Sequence, residues 1–407
     1  MNLPFFIAKR YLFSKRKRNF INIISGLTLI LVAVCTAALV IVLSVFNGLE
    51  HLLRSLNQSF DPQIKIEAVE GKSFEMTDEL RSQIKNVAGV AIVTEVIEDY
   101  AYARYREANQ VVTLKGVSEN FIDQHRIDNA IAEGNLQLRQ GETSYAIVGR
   151  GVQYSLSIQV GDEFHPLQIY YINNVKPGVV DLSKIYSHEN IIVGAAFSIV
   201  QSFDENYVIV PLEFARDVMQ YGNKRTSLEV KVADNASPAA VQQKLQAALG
   251  NTYSVLSLEE QHKDLYRLLK IEKLFAFGGG VLLLGIASIN IFFSLMMLVL
   301  DKKKDISLLA SMGADQSLLR KVFLTEGALI AVGGTVIGLV LGAGFCFLQQ
   351  RFGFISMGMQ NSVTEGYPVK MILSDFAYIT LAMVVITFLV SYRPARVGSR
   401  TFSPADL

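Results

Sequence analysis

Residues able to carry out chemistry are thinly spread along this chain. Histidines occur at His51, His125, His165, His188 and His262, without the H-E-x-x-H spacing that would place two imidazoles beside a general base on one helix face. No G-x-S-x-G provides a nucleophile elbow, and no G-x-x-x-x-G-K-[ST] provides a loop to cradle nucleotide phosphates. Catalytic, metal-binding and cofactor-binding roles are therefore not expected, and any ATP used must be hydrolysed on a separate chain. The informative residues are mechanical ones: Asp305, then Ile306, Leu308, Leu309 and Met312, ended by Gly313. Their spacing predicts a short helix with an apolar face, terminated at the glycine. Placed between two membrane spans, such a helix would offer an apolar surface to a soluble partner.

The elements that must position this segment are apolar runs. From Phe20 to Gly48 there is no charged residue, and the run is long enough to cross the roughly 30 Å hydrocarbon core as a helix. It is about twice the length of a signal-peptide core and ends in Val45, Phe46 and Asn47 rather than in a small-residue cleavage site, so it reads as a retained anchor. Further runs lie at Leu274 to Leu300, Gly327 to Leu348 and Ile372 to Tyr392. Basic residues cluster in the head (Lys9, Arg10, Lys15, Arg16, Lys17 and Arg18), after the second run (Lys302, Lys303, Lys304, Arg320 and Lys321) and in the tail (Arg393, Arg396 and Arg400). The positive-inside rule puts all three on the cytoplasmic side.

The predicted fold class is a membrane protein with four transmembrane helices in a 1+3 arrangement and a large α+β periplasmic domain inserted between spans 1 and 2. The predicted segments are a cytoplasmic amphipathic head (1–19), span 1 (20–47), the periplasmic domain with stalk helices (48–273), span 2 (274–300) and a cytoplasmic coupling segment (301–322). Span 3 (323–348), a periplasmic loop (349–371), span 4 (372–392) and a cytoplasmic tail (393–407) complete the chain. Composition agrees with this hybrid, at 51% hydrophobic residues and a net charge of +1 that gives no sign of nucleic-acid binding. Both cysteines, Cys35 and Cys346, fall inside spans, so the inserted domain must hold by core burial without disulfides.

Within the insertion, alternation predicts strands at Gln63 to Val69, Ala91 to Val96, Val111 to Val117, Asn190 to Val200, Tyr207 to Val210 and Ser227 to Val232. Helices are predicted from Thr77 to Asn86 and from Ser237 and Pro238 to Leu249, with a long polar stretch after Gly161. Leu49, Leu52, Leu53 and Leu56 extend the first span outward as a stalk, and Ser257 with Glu260 forms a capping box at the start of a second stalk. In span 3, Gly334, Gly338 and Gly342 recur every fourth residue, a pattern that admits close helix packing.

The run DKKKDISLLASMGADQSLLRKVFLTEGALIAVGGTVIGLVLGAGFCFL resembles the signature of the permease superfamily of cell-division, macrolide-efflux and lipoprotein-releasing ABC permeases. The opening FFIAKRYLFSKRKRNFINIISG through FNGLE, the segments GVSEN and GRGVQYSLSIQVGD, and the ending YRPARVGSRTFSPADL are similar to the lipoprotein-releasing LolC/LolE family. The resemblance implies a permease subunit, on the bacterial inner membrane, of a complex that lifts lipoproteins from that membrane and passes them to a periplasmic carrier. It implies as partners two copies of an ATP-binding subunit and a second permease, either another copy or a sister chain. It further implies that Asp305 to Ala314 dock on the ATPase and that Val42, Phe46, Leu274 and Phe277 line a lipid-accepting cavity. A carrier-binding loop is implied at Tyr170, Tyr171, Val175, Pro177 and Val179. The alternative is a mechanotransmission permease that drives an efflux channel or cell-wall hydrolase without moving lipid.

Overall fold

The computed structural model describes residues 3–12, 20–173, 186–356 and 366–400. Two units are present: Met1–Leu52 with Leu265–Leu407, and Leu53–Asp264.

Helices make up the first unit. A head helix, Leu3–Leu12, precedes the first long helix, Phe20–Phe60; the second, third and fourth long helices are Lys263–Asp301, Gln316–Phe352 and Leu373–Arg400. A connecting helix, Lys303–Ser311, lies between the second and third. All four long helices are long and apolar enough to cross a membrane. The first and second, of 41 and 39 residues, each run roughly 60 Å at 1.5 Å per residue, about twice a hydrocarbon core. Val32, Leu39, Leu43, Leu284, Ile291 and Ile330 form their shared core.

The glycines of the third long helix explain one of these packings. A Cβ at Gly334 would stand 2.9 Å from the Leu29 carbonyl oxygen, one at Gly338 would stand 2.6 Å from Thr36 Cβ, and one at Gly342 would stand 2.9 Å from Val40 Cβ. Real Cβ atoms do not approach so closely, so glycine at every fourth position is what lets the third helix lie against the first. The head helix packs against the same third helix and buries Ala8 completely.

The second unit is built on one long strand, Val90–Tyr105. Its first half belongs to an antiparallel sheet in the order Tyr253–Ser257, Ile64–Ala68, Ser227–Val232, Val90–Tyr105. Helices Asp78–Lys85 and Pro238–Leu249 cover that sheet through Leu80, Ile84, Val241 and Leu245. Local signals set their starts: the Thr77 hydroxyl accepts from Leu80 N at 3.2 Å, and Pro238 occupies the first turn of the second helix. The capping box at Ser257 and Glu260 is also formed.

The other half of Val90–Tyr105 opens a ring. It pairs with Ala108–Val117, which pairs in turn with Tyr207–Pro211, Thr143–Gly149, Tyr186–Phe197 and Leu167–Ile172, and the last strand pairs back to Val90–Tyr105. Six strands thus close on themselves around a core that includes Ile97, Ala101, Leu114, Val148, Ile169 and Ile191. The sequence predicts neither the length of the first strand nor the hairpin after Gly161. Glu98, Asp99 and Arg104 make the strand look finished at Val96, yet the alternate positions Ile97, Ala101, Ala103 and Tyr105 are all buried. Leu167–Ile172 does not read as a strand because apolar residues occupy both of its faces and cancel the alternation, with Leu167 and Ile169 inward and Tyr170 and Ile172 outward.

Candidate coupling and anchoring sites

In the segment predicted to couple, Lys302 precedes the connecting helix, and its ammonium lies 3.2 Å from Asp301 and 5.9 Å from the centre of the Tyr11 ring on the head helix. Gly313 ends the connecting helix with a φ of +97°, a conformation that favours glycine, and Asp315 caps the next helix by accepting from Leu318 N at 2.8 Å. The four apolar positions are not buried alike. Ile306 is 1% exposed among Leu298, Val299, Leu319, Phe323 and Ala395, with Leu309 packed beside it, whereas Leu308 is 53% and Met312 78% exposed. At about 100° per residue, Ile306 and Leu308 stand at the two edges of an arc of roughly 160° with Leu309 and Met312 between them, and the bundle covers only the Ile306 edge. Asp305 stands 4.0 Å from Lys302. Leu308 and Met312 are therefore the apolar residues of this segment open to a partner.

At the opposite end of the bundle, where the chain leaves for the insertion, three helices meet at polar side chains. Asn47 of the first donates through Nδ2 to Asp375 Oδ2 of the fourth at 2.7 Å, and Lys273 of the second donates to Asn47 Oδ1 at 2.7 Å and reaches Asp375 at 3.4 Å. Asn47 is 3% exposed and Asp375 nearly as buried, so the amide sits between opposite charges that it holds together. Beside it, Lys370 N donates to the Ser44 carbonyl at 2.9 Å, and Gly48 leaves room for the backbone of Pro368. Of the residues proposed for a lipid cavity, Val42 and Leu274 are exposed, while Phe46 and Phe277 are half-buried, Phe277 against the bundle core. Sequence reading missed this clasp, because each member taken singly looks like an ordinary interfacial polar residue.

In the second unit the end of the first long helix is socketed. Phe60 is 2% exposed, stacked on Phe203 at 4.2 Å and edge-on to Tyr207 at 4.7 Å, with the Lys115 ammonium 4.7 Å above its ring. Burying such a side chain contributes about 2 kcal/mol. Arg126 Nη1 donates to the Phe60 carbonyl at 2.7 Å, and both Lys115 and Arg126 pair with Glu229, which is itself buried. Burial pushes the Glu229 carboxyl up, but Arg126 and Lys115 outweigh it and hold the group below the usual glutamate range.

Three contacts then tie the residues leaving this helix to those entering the second long helix. Arg54 pairs with Glu259, His262 Nε2 meets Asp61 Oδ2 at 2.7 Å, and Gln261 Nε2 donates to the Pro62 carbonyl at 3.0 Å. The hydrogen bond that His262 donates to the Asp61 carboxylate raises the His262 pKa above its ordinary value against the effect of burial.

The residues named for a carrier-binding loop divide. Tyr170 and Tyr171 lie in the strand Leu167–Ile172 rather than in a loop, and Val175, Pro177 and Val179 lie outside the described residues. Tyr171 turns inward and donates its hydroxyl to Asp99 Oδ2 at 3.0 Å. Tyr170 turns outward, edge-on to Tyr102 at 6.3 Å and stacked on His188 at 5.5 Å. Among the described residues no three His, Cys, Asp or Glu side chains gather as a metal site.

Residues 25–248 match the family described as MacB-like periplasmic core domain, and residues 277–401 match the family described as FtsX-like permease C-terminal. The chain is 23% identical over 419 aligned positions to the lipoprotein-releasing system transmembrane protein LolC of Neisseria meningitidis serogroup B, covering 100% of this chain and 98% of that one. It is 24% identical to the lipoprotein-releasing system transmembrane protein LolE of Haemophilus influenzae, over 84% of this chain and 82% of that one. Among solved structures it is similar to the periplasmic region of MacB from Actinobacillus actinomycetemcomitans, at 10% identity and a TM-score of 0.36, covering 52% of this chain and 94% of that one. The chain belongs to the MacB- and FtsX-like family of ABC permeases, in its lipoprotein-releasing LolC/LolE branch. It is a multi-pass protein of the inner membrane with a periplasmic domain.

Proposed function

We propose that the chain is the permease subunit of an ABC transporter that extracts lipoproteins from the inner membrane and passes them to a periplasmic carrier. The observation that carries this reading is that likeness to a lipoprotein-releasing LolC protein runs from end to end, over 100% of this chain and 98% of the relative. Physical chemistry supplies the need for a motor. Each acyl CH₂ removed from the bilayer costs about 0.8 kcal/mol, so a lipoprotein does not leave unaided. ATP is hydrolysed on a separate subunit, which bears on Leu308 and Met312 from the cytoplasm. The four helices cross in a 1+3 order with both termini inside, and motion passes along the first and second long helices to the periplasmic domain. Val42, Phe46, Leu274 and Phe277 accept the acyl chains, and the hairpin containing Tyr170 meets the carrier. The helices' uninterrupted lengths and the socket around Phe60 support this route, because a stiff rod held at its end transmits displacement.

The test is reconstitution in liposomes with the cognate ATP-binding subunit, a lipoprotein and its carrier. ATP-dependent transfer of lipoprotein to the carrier is the expected result. ATP hydrolysis with lipoprotein left in the membrane would overturn the reading in favour of mechanotransmission to a periplasmic partner.

A further inference from the structure

Thr36 Oγ1, Ser391 Oγ, Arg320 Nε and Glu326 Oε2 are buried in the helical unit without a hydrogen-bond partner among the described residues. The two hydroxyls can turn to a carbonyl one turn back in their own helix, as Thr335 and Thr387 do at 2.7 Å. Arg320 is only partly buried and keeps its guanidinium within reach of water. Glu326, on the third long helix, has neither recourse. It is 2% exposed, and a carboxylate in such a place needs a cation beside it.

The cation within reach is Lys302. Ile306 and Phe323 share one core; Lys302 lies one turn before the first, its carbonyl accepting from Ile306 N at 2.9 Å, and Glu326 lies about one turn after the second. Lys302 is also the residue whose charge acts on Glu326. Its seat in this structure is shallow, with the ammonium 3.2 Å from Asp301 and 4.0 Å from Asp305, and such exposed pairs are weak. Tyr11 of the head helix stands close to the same groups, but burial, Asp305 and Glu326 push its hydroxyl up to about 12, so it stays neutral and cannot serve as the anion. Lys302 occupies the break between the second long helix and the connecting helix, at φ −88° and ψ 13°. A turn of the connecting helix about this residue therefore carries the ammonium with it while both helices stay wound.

We propose that Lys302 has two seats: against Asp301 and Asp305 as in this structure, and against Glu326 when the connecting helix is displaced from the cytoplasm. Charges attract more strongly inside the bundle than at its surface, so the second seat holds the displaced helix. Moving an ammonium inward costs desolvation that the carboxylate offsets only on direct contact, which makes the exchange all-or-none. Glu326 is a positioning residue, acting through Lys302 to fix the third long helix against the displaced segment. The inference rests on the reading of the chain as a permease driven by a separate ATP-binding subunit and adds the contact that registers the drive.

The test uses the full chain in membranes from cells that also make the ATP-binding subunit. Lysines are pulse-labelled with acetic anhydride, without nucleotide and after trapping with ATP and vanadate. Mass spectrometry then reads Lys302 against Lys303 and Lys304, both exposed on the same junction. Relative to those two, Lys302 should label roughly tenfold more slowly in the trapped state. Glu326→Gln, which keeps the shape and removes the charge, should abolish that protection, and Glu326→Asp should restore part of it. A carboxyl with a structural role alone would leave the ratio indifferent to nucleotide. The inference is overturned if Lys302 labels alike in both states of the unmodified protein, a comparison that needs no substitution and so stands even where a variant fails to fold. Protection that persists in Glu326→Gln overturns it equally. Protection that depends on Glu326 while the liposome assay moves no lipoprotein would leave the switch standing and remove the lipoprotein-release reading alone.

Discussion

At one end of the helical bundle Ile306 is buried among Leu298, Val299, Leu319 and Phe323; at the other, Asn47 bridges Lys273 and Asp375. Apolar contacts are non-directional and scale with area, so the first end can shift by small amounts without a sharp loss. Hydrogen bonds weaken steeply once stretched or bent, so the second end is either made or broken. In a permease driven from the cytoplasm, a yielding seat at the input and a latch at the output would let displacement build before the periplasmic side opens. The periplasmic domain repeats the contrast, with an aromatic socket around Phe60 and ionic ties at Arg54–Glu259 and Asp61–His262.

The largest effect is expected where a charge is forced into the apolar end. Ile306→Asp should cost about 4 kcal/mol, because a carboxylate would be buried without a partner, and the protein should lose its monodisperse peak in detergent. Leu308→Asp and Met312→Asp should keep that peak and reduce binding of the ATP-binding subunit. Equal stability of all three variants would mean that Ile306 is not seated as described. Next, Gly338→Val should cost about 3 kcal/mol by overpacking, since the Ala33 carbonyl and Thr36 leave no space for a Cβ. A normal thermal midpoint for that variant would show that the first and third helices do not touch there.

At the polar end, Asp375→Leu should cost about 2 kcal/mol by leaving Lys273 without its counter-charge, a figure kept low because Lys273 is partly exposed. Adding Lys273→Met should recover part of the loss. The diagnostic quantity is the coupling in that double-mutant cycle, measured by thermal unfolding. Strict additivity of the two changes would dissolve the clasp and with it the contrast between the ends.

How much of this was legible depended on whether the signal was local. The spans announce themselves through uncharged runs, and Ser237 with Pro238, Thr77 and Ser257 mark helix starts that the structure uses. Ring closure was not legible, because it depends on Tyr102 meeting Tyr170 and on a hairpin whose two apolar faces cancel the alternation that would reveal a strand. The same holds for the clasp, whose members are remote in sequence. The division of buried Ile306 from exposed Leu308 and Met312 was not legible, because at about 100° per residue all four apolar positions fall within an arc of roughly 160°, and which edge is covered depends on remote residues such as Phe323 and Ala395.

The smallest predicted effect asks whether the polar ties of the periplasmic domain behave like the clasp. Asp61 raises the His262 pKa above the ordinary histidine value of about 6.5. Folding therefore favours the protonated ring, and the pair contributes its full stability below the unfolded pKa. That contribution is lost as pH rises through the folded value. The side chain is partly exposed, so solvent screening should hold the effect below about 1 kcal/mol, and we expect a fall of roughly 2 °C in the thermal midpoint between pH 6 and pH 8. His262→Gln should remove this part of the pH dependence, and Asp61→Asn should remove it while leaving the ring to titrate near its ordinary value. A midpoint that rises with pH in the unmodified protein, but not in His262→Gln, would reverse the sign and show that the ring is held neutral. The first and second long helices would then be tied at their periplasmic ends by Arg54–Glu259 and the Gln261 hydrogen bond, without an ionic contribution from His262.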